Sequence, residues 1–76
     1  MYAFDVADLI PLMGRTVRIR NGKQTFVGVL TGPSKEKFRR DNGRMSYGFT
    51  LEGDGFEMEF AWWDWFVEPV EEPVWG

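Results

Sequence analysis

The chain has 76 residues, near the lower limit for a domain that folds around one core without disulfides or a structural metal. It contains no cysteine and no histidine, which excludes disulfides, thiolate zinc sites, cysteine nucleophiles and histidine general bases. All nine basic residues lie between Arg15 and Arg44 against two acids, whereas residues 45–76 carry eight acids and no base. This asymmetry indicates either a nucleic-acid-binding face or basic strands beside acidic strands in one sheet.

Residues 5–13 predict a short helix that ends at Gly14. The apolar positions of this segment recur at helical spacing and form one stripe: Val6, Leu9, Ile10 and Met13. Either Asp5 or Asp8 can cap the helix at its start. Pro11 is compatible with a helix that begins after Asp8, but it would kink one that begins after Asp5.

Residues 15–20 predict the first strand, because apolar and polar side chains alternate there. Asn21-Gly22 follows and is a strong signal for a two-residue hairpin turn. Residues 23–31 predict a second strand that is apolar on both faces. Gly28 at its centre permits a sharp bend and a close approach of another main chain.

A polar and basic loop is predicted at residues 34–44, around Phe38. Three further strands are predicted at residues 45–52, 56–60 and 66–70. Residues 61–65 are too few for a strand and fit one helical turn, and Pro69 confines the last strand to an edge or an end of the sheet. Together these elements predict an all-β fold, a small five-stranded antiparallel barrel with a short N-terminal helix. One domain would cover residues 1–70, and residues 71–76 would form an acidic tail.

The stretch from Phe60 to Val67 is dominated by aromatic side chains, which make up five of its eight residues. On one helical turn Trp62 and Trp65 share a face, so we assign them, with Phe60 and Phe66, to the core. Trp63 points elsewhere and is assigned to the surface.

The order of these elements resembles the Sm-like fold of the Src-homology-3-like small barrels. The segment Phe26-Val-Gly-Val-Leu30 is similar to the core of the first Sm motif, and residues 62–70 look like the helical turn and last strand of Src-homology-3-like domains. The resemblance implies that Gly28 lets the second strand bend and that Leu30 packs inside. It also implies edge-to-edge association, in which the fourth strand of one subunit pairs with the fifth of the next.

The chain departs from the pattern of RNA-binding Sm-like proteins at three places. Ser34 and Phe38 stand where those proteins have an Asp and an Asn, and Trp-Asp-Trp at residues 63–65 replaces their Arg-Gly. The resemblance therefore does not extend to a ring-type uridine pocket.

No arrangement of residues predicts catalysis. Ser34 and Ser46 have neither a histidine nor a Gly-x-Ser-x-Gly elbow. Glu57 and Glu59, with Glu52 or Asp54, could form a carboxylate pair or a weak cation site, but such residues are much more often a solvated strand face. We expect no enzyme activity, no cofactor and no metal.

Two binding functions remain. A nucleic-acid-binding barrel would use the basic loop, with Phe38 stacking on a base: Lys35, Lys37, Phe38, Arg39, Arg40 and Arg44, extended by Arg18 and Arg20. A protein–protein interaction or adaptor module would use exposed aromatic side chains: Trp63, Trp75 and Phe38. We favour the adaptor, self-associating as a homo-oligomer through strand edges. A compact, Trp-rich chain of this kind looks like the small accessory proteins of bacteriophages.

No run of about 18 apolar residues and no secretory signal occurs in the sequence. These absences predict a soluble protein without a membrane partner, located in the cytoplasm, or in the host cytoplasm if a phage encodes it.

Overall fold

A computed structural model describes residues 5–70 of the chain. Its five strands are β1 Thr16–Asn21, β2 Gln24–Arg39, β3 Met45–Gly53, β4 Phe56–Phe60 and β5 Phe66–Pro69. Three short 3-10 turns accompany them: Val6–Asp8, Ile10–Leu12 and Trp62–Asp64. The predicted acidic tail and Trp75 lie outside the described residues.

All five strands belong to one antiparallel sheet with the order β4-β3-β2-β1-β5. The prediction of an all-β chain with five antiparallel strands is therefore confirmed. The predicted closed barrel is not, because no strand pairing joins β4 to β5 within residues 5–70. These two strands are the ends of the sheet.

The N-terminal segment is not the predicted single helix but two consecutive 3-10 turns that meet at Leu9. Asp5 caps the first turn, and its carboxylate accepts the N–H of Ala7 at 3.4 Å. Pro11 lies in the second turn, where its missing N–H and its ring prevent a continuous α-helix from the Asp5 cap.

The predicted apolar stripe of this segment is wrong for the same reason. A 3-10 helix has three residues per turn, so positions i and i+3 eclipse each other. Leu9 and Leu12, three residues apart, are both buried, and Ile10, which lies off their line, is 61% exposed. Val6, at the start of the first turn, is 45% exposed although it lies three residues before Leu9.

The hairpin turn between β1 and β2 lies one residue later than the sequence predicts. Asn21 and Gln24 are the last paired residues, so Gly22 and Lys23 form the turn. Gly22 has a φ of +58° at the first central position, which a type II′ hairpin requires and glycine adopts without strain.

The largest difference from the predicted elements is the length of β2. The strand does not end at residue 31 but continues to Arg39, so most of the predicted loop at 34–44 is strand. Its pairing with β3 slips between Leu30 and Gly32 and again between Pro33 and Lys37. These irregularities are β-bulges, which let a long strand bend while remaining paired on both sides of each bulge.

Two polar side chains satisfy the main chain at the second bulge. The hydroxyl of Ser34 donates to the carbonyl of Glu36 at 2.6 Å and accepts the N–H of Gly48 at 2.8 Å. The carboxylate of Glu59 accepts the N–H groups of Lys35 at 2.9 Å and Glu36 at 3.3 Å. Side chains thus satisfy main-chain groups at the bulge that water would satisfy in a solvated loop.

The core lies on one face of the sheet, under the N-terminal turns and the turn before β5. Its buried side chains come from every strand and from the segments that precede β1 and β5: Leu9, Leu12, Val17, Ile19, Leu30, Phe49, Leu51, Phe60, Trp62 and Val67. Gly28 provides the predicted close approach, since a Cβ there would lie 2.6 Å from the main-chain oxygen of Glu52.

Candidate protein-binding site

The β2–β3 hairpin continues beyond its neighbouring strands as an arm, defined here as residues 37–47. β4 pairs with β3 only from Phe49 onward, and β1 pairs with β2 only as far as Val29. Two main-chain hydrogen bonds between Arg40 and the turn close the arm, with Arg44 at 2.7 Å and Gly43 at 2.9 Å. The arm therefore has two edges that no other strand of the described chain flanks.

An aromatic and cationic cluster covers one face of the arm. The rings of Phe38 and Trp63 meet edge to face at 6.5 Å, and those of Trp62 and Trp63 at 5.3 Å. The guanidinium of Arg40 lies over both indoles, 4.6 Å from the Trp63 centroid and 5.2 Å from that of Trp62. Cation–π contacts contribute about 0.5–2 kcal/mol each, depending on desolvation.

Trp62 also fixes the arm through its indole. It is 4% exposed, and its Nε1–H donates to the carbonyl of Tyr47 at 3.3 Å. A buried ring and a hydrogen bond thus connect the turn before β5 to the first residues of β3. The arm is held by these contacts rather than by an additional strand.

The other face of the arm is open to solvent. Met45 is 51% and Tyr47 53% exposed, and they lie directly opposite Arg39 and Lys37. The ammonium of Lys37 is 5.4 Å from the Tyr47 ring centroid. Among the described residues, neither Lys37 nor Arg39 forms an ion pair. Tyr, Met and Arg are enriched in protein interfaces and Lys is depleted, so three of the four residues on this face are of the types that interfaces favour.

The sequence did not single out Met45 and Tyr47. They alternate with polar residues in phase with buried Phe49 and Leu51, so the pattern alone gives all of them to one core face. Their exposure follows from the ends of β1 and β4, which the alternation within β3 does not reveal.

The predicted separation of the three tryptophans is wrong in part. Trp62 is buried as predicted, but Trp63 and Trp65 are both half-buried and pack against the core. Trp65 contacts Phe26 and Phe60 at about 6 Å between ring centroids. The Nε1 of Trp63 is buried without a hydrogen-bond partner. Trp63 and Phe38 thus contact each other within the chain, and Trp63 is not the freely exposed ring that the sequence suggested.

The structure divides the predicted nucleic-acid residues into two groups. Lys35, Lys37 and Arg39 are exposed on β2, and Arg44 is exposed at the turn. Arg18 and Arg20 belong to β1 and face Glu68 of β5, at 2.8 Å and 3.7 Å. Arg20 also lies over the Phe66 ring at 4.6 Å. These two arginines are compensated by a carboxylate and do not extend the basic residues of β2.

Depressions open on both sides of Arg40. One is lined by Asp5, Val6, Ser46, Tyr47 and Trp62, and the other by Asp41, Asn42, Trp63 and Asp64. Each contains at least one carboxylate, which disfavours a bound anion beside the guanidinium. Arg40 therefore serves as a packing group between two indoles.

The acidic candidates do not form a metal centre. Within residues 5–70 no group of three or more His, Cys, Asp or Glu side chains could hold a metal ion. Glu59 accepts hydrogen bonds from the β2 bulge, and Glu57 lies opposite Glu52 on β3. None of the helical turns in this part of the chain is long and apolar enough to cross a membrane.

Comparisons with models of protein families, with curated proteins and with solved structures gave no match to this chain.

Proposed function

We propose that the chain is a non-enzymatic protein-interaction module and that the outer face of the arm is its binding surface. The observation that carries this proposal is the combination of a fixed arm with an exposed apolar and cationic face. Trp62, Trp63 and Arg40 hold the arm from one side, and Met45 and Tyr47 remain half exposed on the other. A surface held in one conformation loses less entropy on binding than a mobile loop does.

We also propose that the sheet has the topology of an Sm-like or Src-homology-3-like small barrel. Three features support this: β5 lies beside β1, a bent β2 pairs with both β1 and β3, and a 3-10 turn precedes β5. Leu30 is buried, as the resemblance implies. Ser34 and Phe38 have internal roles in the bulge and the aromatic cluster, which supports a protein partner over a base-binding pocket.

The first experiment tests whether the outer face of the arm binds the partner. The double variant Met45→Ser/Tyr47→Ser should retain at most about a tenth of the partner captured from cells of the source organism, because truncating a central contact costs more than about 1 kcal/mol. Val27→Ser is the matched control, since Val27 is also an exposed apolar strand residue, 45% exposed, but lies outside the arm. The proposal fails if the control loses the partner and the arm variant keeps it.

A nucleic-acid function is the second candidate, favoured by the exposed cations at positions 35, 37 and 39 on one strand. It predicts micromolar binding of oligonucleotides that weakens steeply with salt. The slope of log affinity against log salt should fall by roughly one for each lysine or arginine replaced. Binding of this kind, weaker and with a slope reduced by roughly one in Lys37→Ser and unchanged in Tyr47→Ser, would replace the protein-binding proposal.

Self-association through strand edges is part of the same proposal, supported by a sheet that ends in two edge strands. Light scattering tests it. A mass of one chain at every concentration would exclude it.

A further inference from the structure

We propose that the partner of the arm is a second copy of this chain, whose β4 pairs antiparallel with the free edge of β2 in the arm. In this register Arg39 lies opposite Glu57, and Lys37 opposite Glu59, of the second copy. The inference rests on the proposed protein-binding function and identifies its partner. It follows from the directions of the main-chain N–H and C=O groups at the two strand edges and from the charges of the side chains beside them.

The outward-pointing groups of β4 follow from its turn. Only Asp54 and Gly55 separate the paired residues Gly53 and Phe56, so these two can pair only by exchanging their own main-chain hydrogen bonds. Along an antiparallel pair such positions alternate with positions whose main-chain groups point away. Met58 and Phe60 therefore bond to β3, like Phe56. The remaining two residues, 57 and 59, direct their N–H and C=O groups to the outer edge.

The same reasoning applies to the arm. The N–H of Arg40 donates to the carbonyl of Arg44 at 2.7 Å. This bond fixes which residues at this end of the hairpin direct their main-chain groups toward the other strand and which direct them away. Phe38 then bonds to Ser46, and the main-chain groups at 37 and 39 point away from β3.

Two contacts on β3 agree with these directions of the main-chain groups. The carbonyl of Tyr47, opposite residue 37, must point away from β2, and it accepts the indole N–H of Trp62 on that far side. The N–H of Gly48 must point toward β2, where Ser34 accepts it. No strand of the described chain pairs with β2 between residues 31 and 39 on the side away from β3.

The charges of the two edges are complementary and uncompensated. Glu52 and Glu57 are exposed and directly opposite each other, an arrangement of like charges that destabilises a strand pair. Within residues 5–70 neither forms an ion pair, and neither do Lys37 and Arg39. Pairing of the two edges brings the cations of one copy beside the carboxylates of the next. Glu59 already accepts hydrogen bonds from its own bulge, so Glu57 and Glu52 provide most of the acidic charge.

β5 is a poorer partner for β4 than the arm is. The N–H of Val70 donates to the carbonyl of Thr16 at 2.9 Å, which places Pro69 at an outward-pointing position. Proline has no N–H, so the outer edge of β5 lacks a hydrogen-bond donor at position 69. Both outward positions of the arm, 37 and 39, have one. The edge of β5 also carries an acidic residue, Glu68, where β4 requires a cation.

An interface between two different edges is heterologous. Each copy keeps one arm and one β4 available, so association continues until a ring closes or a filament grows. This property allows a test in which two blocked variants complement each other.

The arm variant is Lys37→Glu/Arg39→Glu, which makes its edge repel β4. The β4 variant is Glu57→Pro, which removes an outward N–H and leaves the bonds to β3 intact. Light scattering should give particles larger than one chain for the unmodified protein, dissociating as salt approaches about 0.5 M. Each variant alone should be a monomer, and an equimolar mixture should form a two-chain particle and nothing larger.

Hydrogen exchange of the unmodified protein tests the same edges without relying on a variant that folds. The amides of residues 37, 39, 57 and 59 should exchange about tenfold or more slowly in concentrated than in dilute solution. Unchanged exchange at these amides, or a mixture that stays monomeric while the unmodified protein associates, overturns the inference. So does a protein that is monomeric at all concentrations. In each case the capture experiment with Met45→Ser/Tyr47→Ser still decides the proposed function separately.

Discussion

Gly48 shows how a single missing side chain positions the aromatic cluster. A Cβ at this residue would overlap the main-chain oxygen of Phe60 and lie 3.1 Å from the Phe38 ring. Its absence lets β3 approach β4 closely and leaves room for Phe38 to reach Trp63. Close approach of main chains is one of the few reasons that glycine is required in the interior of a strand.

We therefore expect Gly48→Ala to lower the free energy of unfolding by about 2–4 kcal/mol, because main-chain atoms cannot move aside as a flexible side chain can. Urea denaturation of both proteins measures the difference. Gly32→Ala is the matched control, since a Cβ there has no atom within 4 Å and the backbone needs no positive φ. Equal effects of the two substitutions would contradict the close approach described for Gly48.

At the scale of an element, the second bulge of β2, between Pro33 and Lys37, holds the arm in place. Ser34 is 4% exposed and satisfies main-chain groups on both sides of the bulge, the carbonyl of Glu36 and the N–H of Gly48. The bulge carries β2 from the core out to the arm. Loss of this hydroxyl should therefore affect the arm as well as the core.

Ser34→Ala should cost about 1–3 kcal/mol of unfolding free energy, because the buried N–H of Gly48 would lose its acceptor. The amides of Phe38 and Ser46 in the arm should also exchange faster, as measured by NMR. Ser46→Ala is the control, since the Ser46 hydroxyl has no hydrogen bond to another described residue. A Ser34 variant as stable as the Ser46 variant would show that water replaces the hydroxyl.

The second half of β2 is the part of the sheet that the sequence pattern does not predict. The alternation of residues 45–52 and 56–60 predicted β3 and β4 within one residue of their observed ends. Residues 34–39 were predicted as a loop, because Ser, Lys and Glu without alternation are typical of one. They form a strand because Ser34 reaches Gly48 and Glu59 reaches the N–H of Lys35, contacts that the local pattern does not contain.

At the scale of the whole molecule, the described charges are separated rather than paired. Two ion pairs among residues 5–70 join Glu68 to Arg18 and Arg20, and these side chains are 27%, 45% and 51% exposed. The arm carries uncompensated cations, and the β3–β4 hairpin carries uncompensated acids. Surface ion pairs of this kind contribute about 0–1 kcal/mol.

Salt should consequently act on association and not on the fold. We expect the urea midpoint of dilute protein to change little between about 50 mM and 0.5 M salt, since few attractive charge pairs are present to screen. Over the same range the associated fraction in concentrated solution should fall. A large loss of stability in dilute solution would instead reveal charge pairs that stabilise the monomer.

The sequence by itself determined the all-β class, the number of strands and the segregation of charge, because alternation and composition are local properties. The spacing of Trp62 and Trp65 on one helical turn predicted both as core residues, and of the two Trp62 is buried. It also placed the candidate residues Phe38, Arg40 and Trp63 on the chain without showing that they touch. Tertiary structure decided that contact, the extension of β2 and the exposure of Met45 and Tyr47. Each depends on where neighbouring strands end and on hydrogen-bond partners distant in sequence. Burial and main-chain pairing are set by residues that a local pattern does not include.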